Sequence, residues 1–528
     1  MSIKTKFNPL GGISKTEEPR GNLNDWRYLG SVESGPITLL EYLGSYSKTV
    51  YVPTEGGRTT INDYTYGSTT TSSNTPFYNN PNIKKVDLQY VPFKGRTIYV
   101  AFSNCTNLVS VNNINNSVIN MRNTFRGCTN FNQNIQIPNS VTSMYSTFRD
   151  CHRFNQNIQI PNSVIDMSNT FSGCRSFNQN ITIPNSVIDM SNTFNSCYNF
   201  NQNITIPDSV TDMNSTFNGC YSFNQNIIIP DSVTDMSYMF RNCINFNQFI
   251  TIPNSVTNMS FTFNGCNNFN QLVTIPNSVT NMGSTFRDCH NFNQPITIPN
   301  GVTNMASTFS NCNNFNQPIT IPDSVTSMYS TFSGCTNFNQ PVAIPDSVTD
   351  MGYTFNNCRS FNQPVAIPNS VTSMVSTFSG CTNFDQPVAI PNGVVSFGSG
   401  VGGCFSQCYS FNQPITLPNT IDSIHRGFQF CYNFNQPISI PASVNDVAFA
   451  FQYCGSFNQD VTFYSYNITD ARYCFYNTGF NRNIYIYFKY TNSVNSKTFN
   501  SFVSAGYLFS NGVTNNQDGV TVIDLGSI

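Results

Sequence analysis

The sequence predicts a repeat solenoid, and three periodicities predict it. Met stands at every 23rd position from Met121 to Met374. Cys keeps the same 23-residue step from Cys105 to Cys381, then resumes at Cys408, Cys431 and Cys454, which makes 16 rungs. Phe lies three residues before that Cys in 16 rungs and three after it in 15, so 31 of the 46 Phe fall in two columns. A four-residue insertion near Gly398–Cys404 breaks the phase once, and a degenerate last rung carries Thr478 where Cys belongs. The expectation is 16–17 rungs of parallel short strands and tight helical turns, capped at both ends.

The elements of a rung follow from its residues, taking Met282–Asn304 as the example. Ile296 and Ile298 alternate with period two before Pro299, which predicts a short strand with one buried face. Pro ends that strand, and Asn/Asp-Ser is turn chemistry. Val-Thr-x-Met is a second short extended segment. Thr-Phe-x-x-Cys-x-x-Phe places apolar residues three apart, which fits a tight helical turn with Phe and Cys inward. Phe-Asn-Gln repeats so closely that its amides are expected to form ladders along the stack.

The flanks differ in composition. Residues 1–100 hold 11 of the 24 basic and 8 of the 26 acidic residues. Residues 1–36 have too few apolar residues for a domain and read as an extended docking arm. Residues 37–104 read as an N-terminal cap, residues 105–480 as the solenoid, and residues 481–528 as a C-terminal cap. In that last cap, Ser493–Gly506 is expected to be a short helix and Val520–Leu525 a strand. Both ends of a parallel stack need cover.

Charged residues are 9% of the chain and the net charge is −2, which excludes a nucleic-acid binder held by a basic face. Apolar runs are too short for membrane insertion. The opening residues lack an apolar h-region, so no secretory signal is expected there.

Eighteen Cys invite a disulfide reading, but parallel Cβ vectors one rung apart exceed the usual disulfide separation. A column of buried thiols is expected instead. The three His cannot converge: His152 and His290 are six rungs apart, and His425 is further still. Glu is absent after Glu55. No catalytic constellation is found, so a non-enzymatic protein without a cofactor is expected. Asp166, Asp189, Asp212 and Asp235 occupy one column on consecutive rungs. They read as a solvated acidic stripe, with calcium as the alternative because close carboxylates repel without a cation.

The position after each ladder Cys varies while its neighbours stay nearly fixed. It includes Arg175, Tyr198, Tyr221, His290, Arg359, Tyr409 and Tyr432. Exposed rings and amides suit sugar or protein recognition, because flat rings stack and amides bond hydroxyls. The alternative is a turn position that tolerates any residue.

Ile-Pro-Asn-Ser-Val-Thr with Phe-x-x-Cys resembles the BspA-type leucine-rich repeat of bacterial and protist surface proteins. Thr-Phe here replaces the usual Ala-Phe of that family. Phe-Asn-Gln-Pro-Ile resembles the FNIP repeats of amoebae and giant viruses, and Met236–Gln248 resembles a repeat of mycoplasma surface proteins. The resemblance implies a right-handed, leucine-rich-repeat-like array and a binding or adhesive role. Lys4–Gly11 resembles the start of gut bacteriophage tail-fibre and adhesin proteins.

The resulting expectation is a fibre-type virion component. It would dock to the particle through its arm and present the solenoid to a host-surface glycan or protein from the virion surface. The alternatives are a cell-surface adhesin and a cytoplasmic protein-binding scaffold. Homo-oligomerisation stays open.

Overall fold

A computed structural model describes residues 26–31, 38–42, 49–51, 77–81, 83–87, 98–464, 468–478, 484–490 and 520–527. The chain divides into two compact units, Met1–Gln248 and Phe249–Ile528.

In the first unit, β1 (Trp26–Ser31) pairs antiparallel with β2 (Thr38–Tyr42). Part of the expected arm is therefore strand-paired to the cap, and residues 1–25 lie outside the described residues. The rungs begin with β3 (Thr49–Tyr51), β4 (Lys85–Asp87) and β5 (Ser110–Asn112), which pair in parallel with Val50, Val86 and Val111 in register. From Asn120 the pairing reduces to single parallel bridges at the residue before each Met, running Asn120, Ser143, Asp166, Asp189 and Asp212.

The core of this unit is built from stacked rings. Phe148 and Phe171 lie 5.7 Å apart and Phe154 and Phe177 6.0 Å, while Phe171 and Phe177 of one rung are 4.5 Å apart. All are fully buried. Such pairs each contribute about 0.5–1.5 kcal/mol beyond the area they bury.

The second unit repeats this plan. Phe309 and Phe332 are 5.8 Å apart, and Phe315 and Phe338 5.9 Å. Bridges run from Asn258 to Asp470. The insertion forms a small antiparallel hairpin, β6 (Gly398–Ser399) with β7 (Gly402–Gly403). A Cβ on Gly403 would overlap the carbonyl oxygen of Arg426, so glycine is required at that approach. The unit closes with a parallel sheet of β8 (Ile438–Ile440), β9 (Val461–Phe463), β10 (Ile484–Tyr490) and β11 (Val520–Ser527), in that order. The expected last strand is present there, and the expected helix at Ser493–Gly506 lies outside the described residues.

Two expectations about the rung are corrected. The Ile-x-Ile segment forms ladder strands at β8 and β9, but not in the regular rungs from Ile135 to Leu417. The Thr-Phe-x-x-Cys segment is not helical. It is a pair of tight turns, as in Met167–Thr170 and Phe171–Cys174, each closed by an i to i+3 backbone bond. The residue two after Met and the residue before Cys both have positive φ, as at Asn169 (57°) and Gly173 (76°). That reversal stops a helix and turns alternate N–H groups outward. Asn169, Phe171 and Gly173 then donate to Ser191, Thr193 and Asn195 of the next rung. Gly, Asn, Asp and Ser recur at these two columns because they tolerate the left-handed region.

Polar columns tie rung to rung, and here the sequence expectations hold. Asn132 Oδ1 accepts both the Asn155 backbone N–H and Gln156 Nε2, at 2.9 and 3.1 Å. The same amide pattern recurs in the second unit, where Asn293 serves Asn316 and Gln317. The thiols are free and buried. Thiols of the ladder column donate to a Phe carbonyl of the preceding rung, as Cys174 Sγ does to Phe148 O and Cys335 Sγ to Phe309 O, both at 3.0 Å. Cys404 and Cys474 stand outside this column, in the position that Thr fills elsewhere, since Phe378 and Phe451 donate to their carbonyls as Phe171 does to Thr193.

Candidate functional site on the turn face

The face formed by the Met-to-Cys turns carries the variable positions. The Cys side chain points into the core, so the residue after it is turned outward. In the first unit Arg175, Tyr198 and Tyr221 come together there. The Arg175 guanidinium lies over the Tyr198 ring at 5.6 Å, and the Tyr198 and Tyr221 rings stack at 4.6 Å and 5°. Arg175 and Tyr221 are exposed and Tyr198 is half-buried. His152, one rung earlier, has its pKa lowered by burial and by the Arg175 charge.

In the second unit the predicted residues divide. Tyr409 and Tyr432 pair at 4.9 Å, and both are exposed. His290 is half-buried with Nδ1 2.9 Å from the Asn311 carbonyl oxygen. Arg359 is exposed, and the Thr382 rung separates it from Tyr409.

The Tyr198–Tyr221 and Tyr409–Tyr432 rings lie 4.6 and 4.9 Å apart, against 5.7–6.0 Å for the Phe columns behind them, while Tyr329 and Tyr353 meet edge-on at 5.5 Å. The ladder hydrogen bonds hold neighbouring turns near strand spacing, about 4.8 Å. Tyr198 and Tyr221 therefore cover one another's faces and present edges and hydroxyls, while Tyr432 is tilted by 34° from Tyr409.

Sequence reasoning missed a second set of rings. Phe430 and Tyr453 precede the ladder Cys, at φ 62° and 63°, and stack at 4.8 Å and 4°. Phe449 and Tyr473 occupy the other positive-φ column and stack at 5.4 Å. Bulky residues in this region cost about 1–2 kcal/mol each relative to glycine. Beside them Arg426 lies over Phe449 at 5.3 Å, and His425 Nδ1 is 2.9 Å from Asp446 Oδ2. Arg472 donates to both Asp470 carboxylate oxygens through its guanidinium and to Oδ1 through its backbone N–H; burial alone would raise that carboxyl's pKa, but the Arg472 bonds lower it on balance. The available signal was compositional: Gly334, Asn357 and Gly380 give way to Gln407, Phe430 and Tyr453 in one column. Its meaning depends on knowing the sign of φ.

The aspartate column serves the turns. Asp166, Asp189, Asp212 and Asp235 each accept the backbone N–H two residues on, from Ser168, Ser191, Asn214 and Ser237 at 2.7–3.0 Å. Neutral Asn120, Asn281 and Asn304 do the same in their rungs, so the column requires an acceptor rather than a charge. Burial raises the pKa of Asp212, and Asp189 and Asp235 add to the rise. Among the described residues no three His, Cys, Asp or Glu converge as a metal site. Nor is any helix there long and apolar enough to cross a membrane.

The 23-residue rung with these Met, Phe and Cys columns has a counterpart among known families. The family described as "Mycoplasma protein of unknown function, DUF285" matches residues 96–206, 165–274, 253–342, 298–389, 345–439 and 400–516. The chain belongs to this family. Its fold is a repeat solenoid similar to solved leucine-rich repeat proteins. One from Bacteroides ovatus is 21% identical, covering 83% of this chain and 93% of that one at a TM-score of 0.43. A leucine-rich cell surface protein from Faecalibacterium prausnitzii is 20% identical, covering 71% and 95% at 0.41. A third, from Eubacterium ventriosum, is 17% identical, covering 57% and 83% at 0.37. No curated protein matches the chain.

Proposed function

We propose that this chain is a non-enzymatic binding protein, displayed at a surface, that engages its partner through the turn face. The observation that carries this reading is the concentration of exposed, variable aromatic and charged side chains on that one face, exemplified by Arg175–Tyr198–Tyr221, over rungs that otherwise barely vary. A fixed scaffold beneath variable contacts suits recognition, because side chains held by the ladder lose little freedom on binding. The description of the F. prausnitzii protein as a cell surface protein accords with surface display.

The finer reading is a fibre-type virion component docked through residues 1–36, and it rests on the opening segment Lys4–Gly11. Peptide mass spectrometry on purified particles and on washed cells of the source tests it. Finding the chain in particles supports the fibre. Finding it on cells alone replaces the fibre with a cell-surface adhesin. Finding it in cytosol alone refutes surface display. Adhesion of labelled protein to host cells, abolished by joint substitution of Arg175, Tyr198 and Tyr221, tests the assignment of the face.

A further inference from the structure

The tyrosine ladder of the second unit ends on a glycine. Tyr409 and Tyr432 lie against each other, tilted by 34°, after successive ladder Cys residues, and the next residue in that column is Gly455. The rungs remain joined there, since the Ser456 backbone N–H donates to the Tyr432 carbonyl at 2.9 Å. A Cβ built on Gly455 meets nothing within 4 Å. The ring that would continue the ladder is missing, and Tyr432, 44% exposed, has an uncovered side toward Gly455. Phe430 meets Tyr432 edge-on at 78°, and Tyr453, stacked on Phe430, extends that wall into the Gly455 rung. The result is a notch with an aromatic face, an aromatic side wall and a glycine floor.

The chemistry of the lining narrows the ligand. Residues 429–436 and 452–459 contain no charged side chain. Asn433 and Ser456 are exposed at its rim and offer an amide and a hydroxyl. An uncharged ligand with one apolar face and a rim of hydroxyls fits that combination. The geometry points to a carbohydrate subsite in which a neutral pyranose ring stacks on Tyr432 above Gly455, its hydroxyls bonded by Asn433, Ser456 and the tyrosine hydroxyls. The subsite rests on the binding role proposed above and specifies a place and a ligand class for it. Tyr198 lies between the Arg175 guanidinium and the Tyr221 ring, whereas Tyr432 has Tyr409 on one side and only Gly455 on the other.

The test uses the full chain, with methyl glycosides of glucose, galactose, mannose and N-acetylglucosamine as probes, followed by ligand-observed NMR. Gly455 lacks a positive φ and has open space above it, so Gly455→Tyr is compatible with the fold and fills the notch. At least one glycoside is expected to bind with a Kd on the order of 1 mM. Gly455→Tyr and Tyr432→Ala should each weaken it about tenfold, the scale of one lost stacking contact. Ile228→Ala, an exposed position of the first unit off the turn face, should leave it unchanged. Undiminished glycoside binding by folded Gly455→Tyr overturns the subsite, as does absence of binding by the wild type. Adhesion of the wild-type chain to host cells, measured in parallel, separates the two readings. If adhesion persists while glycosides fail, the carbohydrate subsite falls and the binding role stands. If adhesion also fails, both fall.

Discussion

Raising the pH should unravel this protein through its thiols. Burial pushes the column cysteines well above their ordinary pKa, and even Cys105, at the edge of the array, is pushed up to about 12. In the unfolded chain the same thiols ionise near pH 8.5. A raised native pKa means that stability is intact below the unfolded value and is lost as pH rises past it. At about pH 10 the loss reaches about 2 kcal/mol per thiol relative to neutrality. With one ladder thiol per rung, three or four rungs lose as much as the whole stability of an ordinary domain, about 5–15 kcal/mol. The assay is thermal denaturation by circular dichroism in reductant, at about pH 7 and about pH 10. A triple variant, Cys312→Ala, Cys335→Ala and Cys358→Ala, serves as control. The wild type should lose about 6 kcal/mol more than the variant on the alkaline step. Equal losses would refute the argument, as would reaction of the native thiols with iodoacetamide as fast as those of the unfolded chain.

Other substitutions probe the ladder and the core. Phe309→Ala, in the middle of a ring column, should cost about 3–5 kcal/mol by denaturant titration. Asn293→Ala removes the acceptor of two inter-rung bonds and should cost about 1–3 kcal/mol. Asn293→Asp should cost under about 1 kcal/mol, because Asp385 already accepts the equivalent bonds from Asn412 and Gln413. Asp189→Asn should shift stability by less than about 0.5 kcal/mol, since neutral asparagines cap the same turn elsewhere, and a larger loss would restore a role for the charge. Gly403→Ala forces a side chain into the Arg426 carbonyl and should lower the melting temperature of the second unit.

Much of this architecture can be read along the chain. Side-chain periodicity reports which residues face inward, and that is a local property. The 23-residue step therefore exposes the Met, Phe and Cys columns, and the invariance of Phe-Asn-Gln exposes the amide ladder. The candidate column after Cys was legible for the same reason, because an inward Cys implies an outward neighbour.

Backbone bonding was not legible, because it depends on the distance between rungs and on the sign of φ. Ser196, Gly219 and Asn242 read as interchangeable turn residues until the fold places the column in the left-handed region. In that setting Phe430 and Tyr453 become costly and conspicuous. Ile-x-Ile carries the periodicity of a strand in every rung, yet it pairs at Ile438–Ile440 and Val461–Phe463, where the closing sheet sets the register. In the regular rungs the pairing is carried by single bridges at the residue before each Met, and the Phe columns stand 5.7–6.0 Å apart. Which side chains meet across rungs depends on where the fold sets the same column in the next rung, and that puts Tyr198 against Tyr221 and Gly455 beside Tyr432.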